Sequence, residues 1–250
     1  MPKPVQFTDL GTNRSYKAIW DFQESLLQQN VLAKAAAREQ SMVNPSSAAS
    51  IQIPLTNNRT TNHLLFVEHS PVYTLGKSGD ICHVLLSEEE LKQKHIEFYR
   101  INRGGDITFH GPQQLVGYPI IDLEQFKTDL GWYLRSLEEV IILTMAEYGL
   151  KGERSKGETG VWLDPDIKGK ERKICAMGIR CSRWITMHGF AFNINTPLEY
   201  FDYIVPCGIK NKKVTSLKNE LGADVPMNEV KQIVKKKFEL VFEVALYENQ

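Results

Sequence analysis

Apolar positions change their period several times along the chain, and each change marks an element. In residues 16–38, Ile19, Phe22 and Leu26 recur at i, i+3 and i+7, with Leu27 and Val31 widening the stripe; this predicts a helix docked along one face. Residues 41–62, rich in Ser, Asn, Thr and Pro, keep no period and read as a loop-rich connection. Strands follow at residues 63–69 and 72–76, and Ser87 with Glu90 forms a capping-box pattern for a short helix ending near His95. A strand at 98–102 runs into a glycine-containing stretch and then a further strand at 114–122. Leu134, Leu137, Ile141, Met145 and Tyr148 predict a long helix stopped at Gly149. Residues 159–163, 173–180 and 185–195 read as strands, and 216–221 as a helix halted by Gly222. A last helix, capped by Asn228, buries Val230, Ile233, Val234, Phe238, Val241 and Phe242. No regular βαβ alternation is present. The expected class is therefore α/β of the α+β type, with mixed, largely antiparallel sheets flanked by helices, in a single domain spanning 1–250.

Charge and cysteine usage narrow the function. Thirty basic residues balance thirty acidic ones, so no global attraction to nucleic acid or membrane is expected. A basic stretch at 151–173 is the local exception and could steer an acidic partner. The four cysteines show no C-x-x-C pair and no zinc-ribbon spacing, which fits a reducing compartment, and no metal or cofactor is expected. The first residues lack the apolar core of a secretion signal, and no run reaches membrane-spanning length, so a soluble cytoplasmic protein is expected, acting as a monomer.

The candidate chemistry lies in residues 173–208. Cys207 stands between Pro206, which fixes its own φ, and Gly208, which permits close backbone approach, so the thiol is presented rather than buried. Thiolate is the reactive form, which calls for a nearby cation or base; Lys173 is the candidate, with His110 and His188 as rival bases that read better as loop-positioning residues. Cys175 and Cys181 lie on an apolar strand and its edge and read as packing residues, while Cys82 sits in a loop without an evident partner. Two adjacent glycines beside Arg103 suit a backbone that approaches a ligand closely.

Several short motifs in fixed order carry a family resemblance. They are the run Arg103, Gly104, Gly105, Asp106, Ile107, Thr108, Phe109, His110, Gly111, Pro112, then Gln114 to Ile120, Gly160-Val161-Trp162, Lys173-Ile174, Gly178-Ile179-Arg180, Thr186 to Ile194 and Pro206 to Ile209. Over roughly residues 60–220 this series resembles the lipoyl(octanoyl) transferase family, with one departure: Gln113 stands where the family pattern carries glycine. The resemblance implies a fold like the catalytic domains of biotin and lipoate protein ligases. It implies transfer of an octanoyl group from octanoyl-acyl carrier protein, through a thioester on Cys207 with Lys173 as its dyad partner, to one lysine of a lipoyl domain, as found in 2-oxoacid dehydrogenase complexes and glycine cleavage H protein. The family's substrate-contacting segments match Arg103 to His110, then Ala176, Met177 and Gly178, and then Gly189, Phe190 and Ala191.

Thioester chemistry suits these residues, since a cysteine nucleophile yields another reactive thioester. A narrow apolar tunnel around Leu115, Ile179 and Phe190 is expected to hold the chain, and backbone amides near Gly178 and Gly208 are candidate oxyanion donors. Three other readings are open. One is an ATP-dependent lipoate or biotin protein ligase, which would not need Cys207; another is a zinc protein using Cys175, Cys181, Cys207 and His188; the third is a silent acyl-binding module.

Overall fold

Two sheets and three long helices form the framework of the described residues in the computed structural model, which describes residues 2–42, 59–205 and 213–248. In chain order the elements are β1 (Lys3–Asp9), α1 (Tyr16–Met42), β2 (His63–Val67), β3 (Val72–Leu75), α2 (Glu88–Gln93), β4 (Glu97–Arg100), β5 (Ile107–His110), β6 (Gln114–Ile120) and α3 (Leu130–Ala146). They continue with β7 (Val161–Leu163), β8 (Arg172–Ser182), β9 (Ile185–Asn193), β10 (Lys213–Val214), α4 (Leu217–Leu221), α5 (Met227–Phe242) and β11 (Val244–Tyr247). The large sheet runs β10-β8-β9-β6-β2-β1-β11 with β7 paired to β8, and the small sheet runs β4-β3-β5. Its central pairings, β2 to β6 to β9 to β8, are antiparallel, whereas β1 pairs in parallel with both β2 and β11, and β10 with β8. The mixed, largely antiparallel class is as expected.

Both faces of the large sheet are covered. Leu64, Phe66, Leu115 and Phe192 face α3 and α5, while Leu65, Val67, Val116 and Tyr118 face α1. That double burial is why β6 and β9 are buried at every position and show no alternation in hydropathy. The small sheet has a core of its own in Tyr73, Leu75, Ile107 and Phe109, with Leu91 of α2 packed alongside.

Several expectations are adjusted. Phe22 is 39% exposed, and Gln23 takes the interior place because its Oε1 accepts the His188 amide at 3.1 Å. The helix predicted over 16–38 continues to Met42, and most of the loop-rich connection, 43–58, lies outside the described residues. α5 begins one residue before Asn228, with Pro226 at the cap position; proline's fixed φ starts the helix without a side-chain cap. The strands β1, β5, β10 and β11 had no sequence counterpart. The Ser87 capping box is present, each partner bonding the other's backbone.

Candidate active site

The small sheet is tied to the large one by the loop that leaves β4. The Gly104 amide donates to the Ile179 carbonyl on β8 (2.9 Å), and the Lys77 amide to the Arg103 carbonyl (3.0 Å). Gly105 has φ +86°, a backbone that glycine adopts without steric cost. Inside the loop the Arg103 guanidinium turns inward: Nη2 donates to the Thr74 carbonyl (2.6 Å) and hydroxyl (3.0 Å), and Nη1 to the Gly104 carbonyl (3.0 Å). Between the two sheets lies a cavity. Tyr16 at the start of α1, Thr108 and His110 from β5, Val116 and Tyr118 from β6, and the middle of β8 and β9 line it.

Lys173 reaches this cavity through an irregularity in β8. Val161 pairs with Cys175, but the next residue, Trp162, pairs with Lys173, so β8 carries one extra residue at Ile174. Ile174 and Cys175 both sit in the main core, and Lys173 is turned to the opposite face, where it lines the cavity with Ala176 and Gly178. In an unbulged strand the two-residue period would put Lys173 on the core side with Cys175. Its ammonium lies 4.5 Å from the centroid of the Trp162 ring.

Two buried histidines, His110 and His188, line the cavity and a third, His69, lies behind His110; their partners set their tautomers. His69 Nδ1 is 3.2 Å from the Arg14 carbonyl, which only accepts, so Nδ1 carries the proton and Nε2 accepts from the Tyr118 hydroxyl at 2.8 Å. Gln114 donates through Nε2 to Asn193 Oδ1 (2.9 Å), leaving its Oε1 to accept from His110 Nδ1 at 3.0 Å. Asn102 donates to Glu24 and accepts from His188 Nε2 at 3.1 Å. Burial pushes His69 down to about 4. Burial, then the Arg103 and Arg180 charges, push His188 down to about 3. Burial and neighbouring cationic groups hold His110 well below the usual imidazole range. All three are therefore uncharged at physiological pH and are weak bases for a thiol. Tyr16 stacks on His110 at 5.8 Å between ring centroids, and burial raises its phenol above the ordinary range.

The described cysteines are poor nucleophiles. Burial pushes the Cys175 thiol far up, burial also raises Cys181, and a hydrogen bond to Asp80 raises Cys82. Cys207 lies outside the described residues, as do Pro206 and Gly208. Residues on either side of that segment, Phe201 and Val214, line the cavity, and Val214 pairs with Lys173 across β10 and β8.

Of the run 103–110, the structure brings Arg103, Gly105, Asp106, Ile107, Thr108 and His110 to the cavity. Gly104 is not among the lining residues, and Phe109 turns into the small sheet's core, stacked on Tyr200 at 4.6 Å. Ala176, Met177, Gly178, Gly189, Phe190 and Ala191 all line it. Leu115 points into the core beneath α3, and Ile179 packs against that same core, so neither forms the tunnel wall; Val116 and Tyr118 replace them. The sequence reading also missed Tyr16, Gln114, Thr159, Asn193, Phe201 and Val214. Only β6 carried a usable signal, because counting by twos from Gln114 gives Val116 and Tyr118. Much of the basic stretch is neutralised, Arg154 by Glu138 and Glu139, and Arg172 by Asp164 and Glu220.

The comparisons with known proteins agree with this architecture. The lipoyl protein ligase A/B catalytic domain model matches residues 20–239. Among solved structures, a bipartite lipoate protein ligase from Thermoplasma acidophilum superposes with a TM-score of 0.66 at 13% identity, covering 100% of this chain and 87% of that one. A lipoate-protein ligase A bound with ATP gives 0.65, also at 13%, over 100% of this chain and 89% of its own. Fold and family model together define a catalytic domain of the lipoyl protein ligase type, the family to which the chain belongs. Within it the chain is a lipoyl(octanoyl) transferase: octanoyltransferases of Christiangramia forsetii and Flavobacterium johnsoniae are each 53% identical over 98% of this chain and 99% and 100% of their own.

Proposed function

We propose that the cavity holds the octanoyl chain of octanoyl-acyl carrier protein, that Cys207 takes the acyl group as a thioester, and that a lipoyl-domain lysine then receives it. In the first half-reaction Lys173 accepts the Cys207 proton, the thiolate attacks the thioester carbonyl, and the carrier's thiolate leaves with a proton returned by Lys173. In the second, Lys173 accepts a proton from the incoming lysine. That amine attacks, an amide bond forms, and the Cys207 thiolate leaves and is reprotonated. Arg103 to His110 would form one wall of the site, and Ala176 to Gly178 with Gly189 to Ala191 its floor. Lipoyl domains of 2-oxoacid dehydrogenase complexes and glycine cleavage H protein are the acceptors in this reading. The whole chain works as one catalytic domain, as a cytoplasmic monomer.

The observation that carries the proposal is the β8 bulge, which delivers Lys173 to a largely apolar cavity bordered by residues on both sides of the Cys207 segment. The neutral histidines support it by leaving Lys173 as the better base, and the three raised thiols by leaving Cys207 as the better nucleophile. The test is the intact mass of the protein after mixing with octanoyl-carrier protein, beside Cys207→Ala. A gain of one octanoyl group on the native chain alone, discharged by lipoyl domain without ATP, is expected. Transfer that needs ATP and proceeds without an adduct would favour the ligase reading instead.

A further inference from the structure

We propose that Trp162 is a positioning residue for Lys173, acting through the face of its indole on the lysine ammonium; the inference rests on the dyad role given to Lys173 above. Trp162 is not itself among the residues lining the cavity, so it would act on the reaction only through its neighbour. It is 2% exposed, and its ring centroid lies 4.5 Å from Lys173 Nζ, within the range where the negative face of an indole attracts a cation.

Rigidity on the tryptophan side makes this contact more than incidental packing. The Trp162 amide donates to the Glu153 carbonyl (2.9 Å) and its carbonyl accepts from the Glu153 amide (2.8 Å), so its main chain is clamped on the side away from β8. Gly160, just upstream, has φ +102°, and a Cβ there would stand 2.3 Å from the Cys175 carbonyl oxygen; glycine is what lets β7 close against β8. The Gly160 amide in turn donates to Glu138 Oε1 at 3.0 Å, a fully buried carboxylate on α3 whose other oxygen accepts from Arg154 at 3.0 Å. A helix, an ion pair to a buried carboxylate and a short strand thus fix the main chain that carries the indole. Lys173, by contrast, ends a flexible four-carbon stem with many rotamers.

The consequence is specific to the charge state. An indole face attracts an ammonium but not a neutral amine. Lys173 is therefore held beside the cavity while it carries a proton to deliver, and it is less restrained once the proton has gone. The same bulge that turns Lys173 from the core sets it opposite Trp162, so orientation and anchor come from one local feature.

The experiment is a double-mutant cycle with Trp162→Leu and Lys173→Met, read by single-turnover octanoyl transfer from carrier to lipoyl domain, with thermal unfolding as the check on fold. Trp162→Leu is expected to lower the maximal rate roughly tenfold or more, with half-saturation for octanoyl-carrier protein within about twofold, since a positioning contact acts on the reacting group and not on substrate binding. In the Lys173→Met background the same substitution is expected to cost less than about twofold, because the indole then has no cation to hold. An equal loss in both backgrounds would overturn the inference and leave Trp162 a packing residue. If Trp162→Leu does not fold, Trp162→Phe takes its place in the cycle, with a smaller loss expected and again only when Lys173 is present. Should Lys173→Met transfer at the native rate, the dyad reading fails on its own, whatever Trp162 does.

Discussion

Gln113 occupies a left-handed backbone, φ +61°, a conformation that glycine adopts most readily. Four hydrogen bonds hold it there. Its amide donates to Glu68 Oε2 (2.9 Å), its carbonyl accepts from the Asn195 amide (3.1 Å) and the Thr196 hydroxyl (3.0 Å), and its Oε1 accepts from Asn195 Nδ2 (3.0 Å). A glutamine is thus tolerated in this backbone because its side chain finds a partner that glycine lacks. Gln113→Gly, trading strain relief against that bond, is expected to change stability by less than about 1 kcal/mol, whereas the β-branched Gln113→Val should cost about 1–3 kcal/mol in chemical denaturation. The buried histidines set a second expectation. His69 and His188 titrate near 4 and 3 in the folded chain but near 6.5 unfolded, so below pH 6.5 the unfolded state binds more protons. Stability should accordingly fall as pH drops from about 6.5 toward 4, each group contributing at most about 1.4 kcal/mol per pH unit. Melting temperature against pH checks this, and His69→Gln should flatten the slope if it folds. None of this was legible at residue level, because the sequence shows a histidine but not whether its nitrogens are dry and bonded.

Elements announced by their own chemistry were the readable ones. The α2 capping box needs only Ser87 and Glu90 three residues apart, and both reciprocal bonds are formed at 3.2 and 2.8 Å. Ser87→Ala is expected to cost about 1 kcal/mol, visible as faster amide exchange in α2 before any change in the large sheet. Gly222, the stop signal in the sequence, ends α4 with φ +73°. Strands buried on both faces were harder. In β6 only Gln114 and Tyr118 carry polar side-chain atoms and both are buried like the rest of the strand, so no solvent-facing side fixes the register and Leu115 is expected on the wrong face by one residue. The β8 bulge left a trace that only the structure makes meaningful: Ile174 and Cys175 are adjacent and both wholly buried, which a regular strand with one solvent face does not permit. Strands β1 and β11 escaped notice because their pairing is remote in sequence: β1 joins β2 across the whole of α1, and β11 joins β1 across almost the full length of the chain.

At the scale of the molecule, the motif order pointed to the family and to most of the lining of the cavity, while the contributions of α1 and β10 depended on tertiary placement. Tyr16 comes to the site only because the first turn of α1 lies beside the end of β5 and the turn after β2, as its contacts with His110 and His69 show. Across the floor, Ala176 of β8 pairs directly with Ala191 of β9, two small side chains that leave room above them. Filling that room tests the acyl reading by chain length. Ala176→Leu is expected to shift acyl-enzyme formation from eight-carbon donors toward six- or four-carbon ones, since each methylene denied burial costs about 0.8 kcal/mol, or about fourfold in rate. A series of carrier-bound acyl donors, read by intact mass, measures it.

The parallel pairing of Lys3 with Val244 also bears on how the protein is made. A ribosome releases β1 before β11, so one edge of β1 waits for its neighbour while residues 10–243 are made. An unpaired edge is a template for pairing with another chain, and crowding on polysomes sharpens that hazard. The edge that β11 finally covers is therefore where a holding chaperone would do most for the yield of this enzyme.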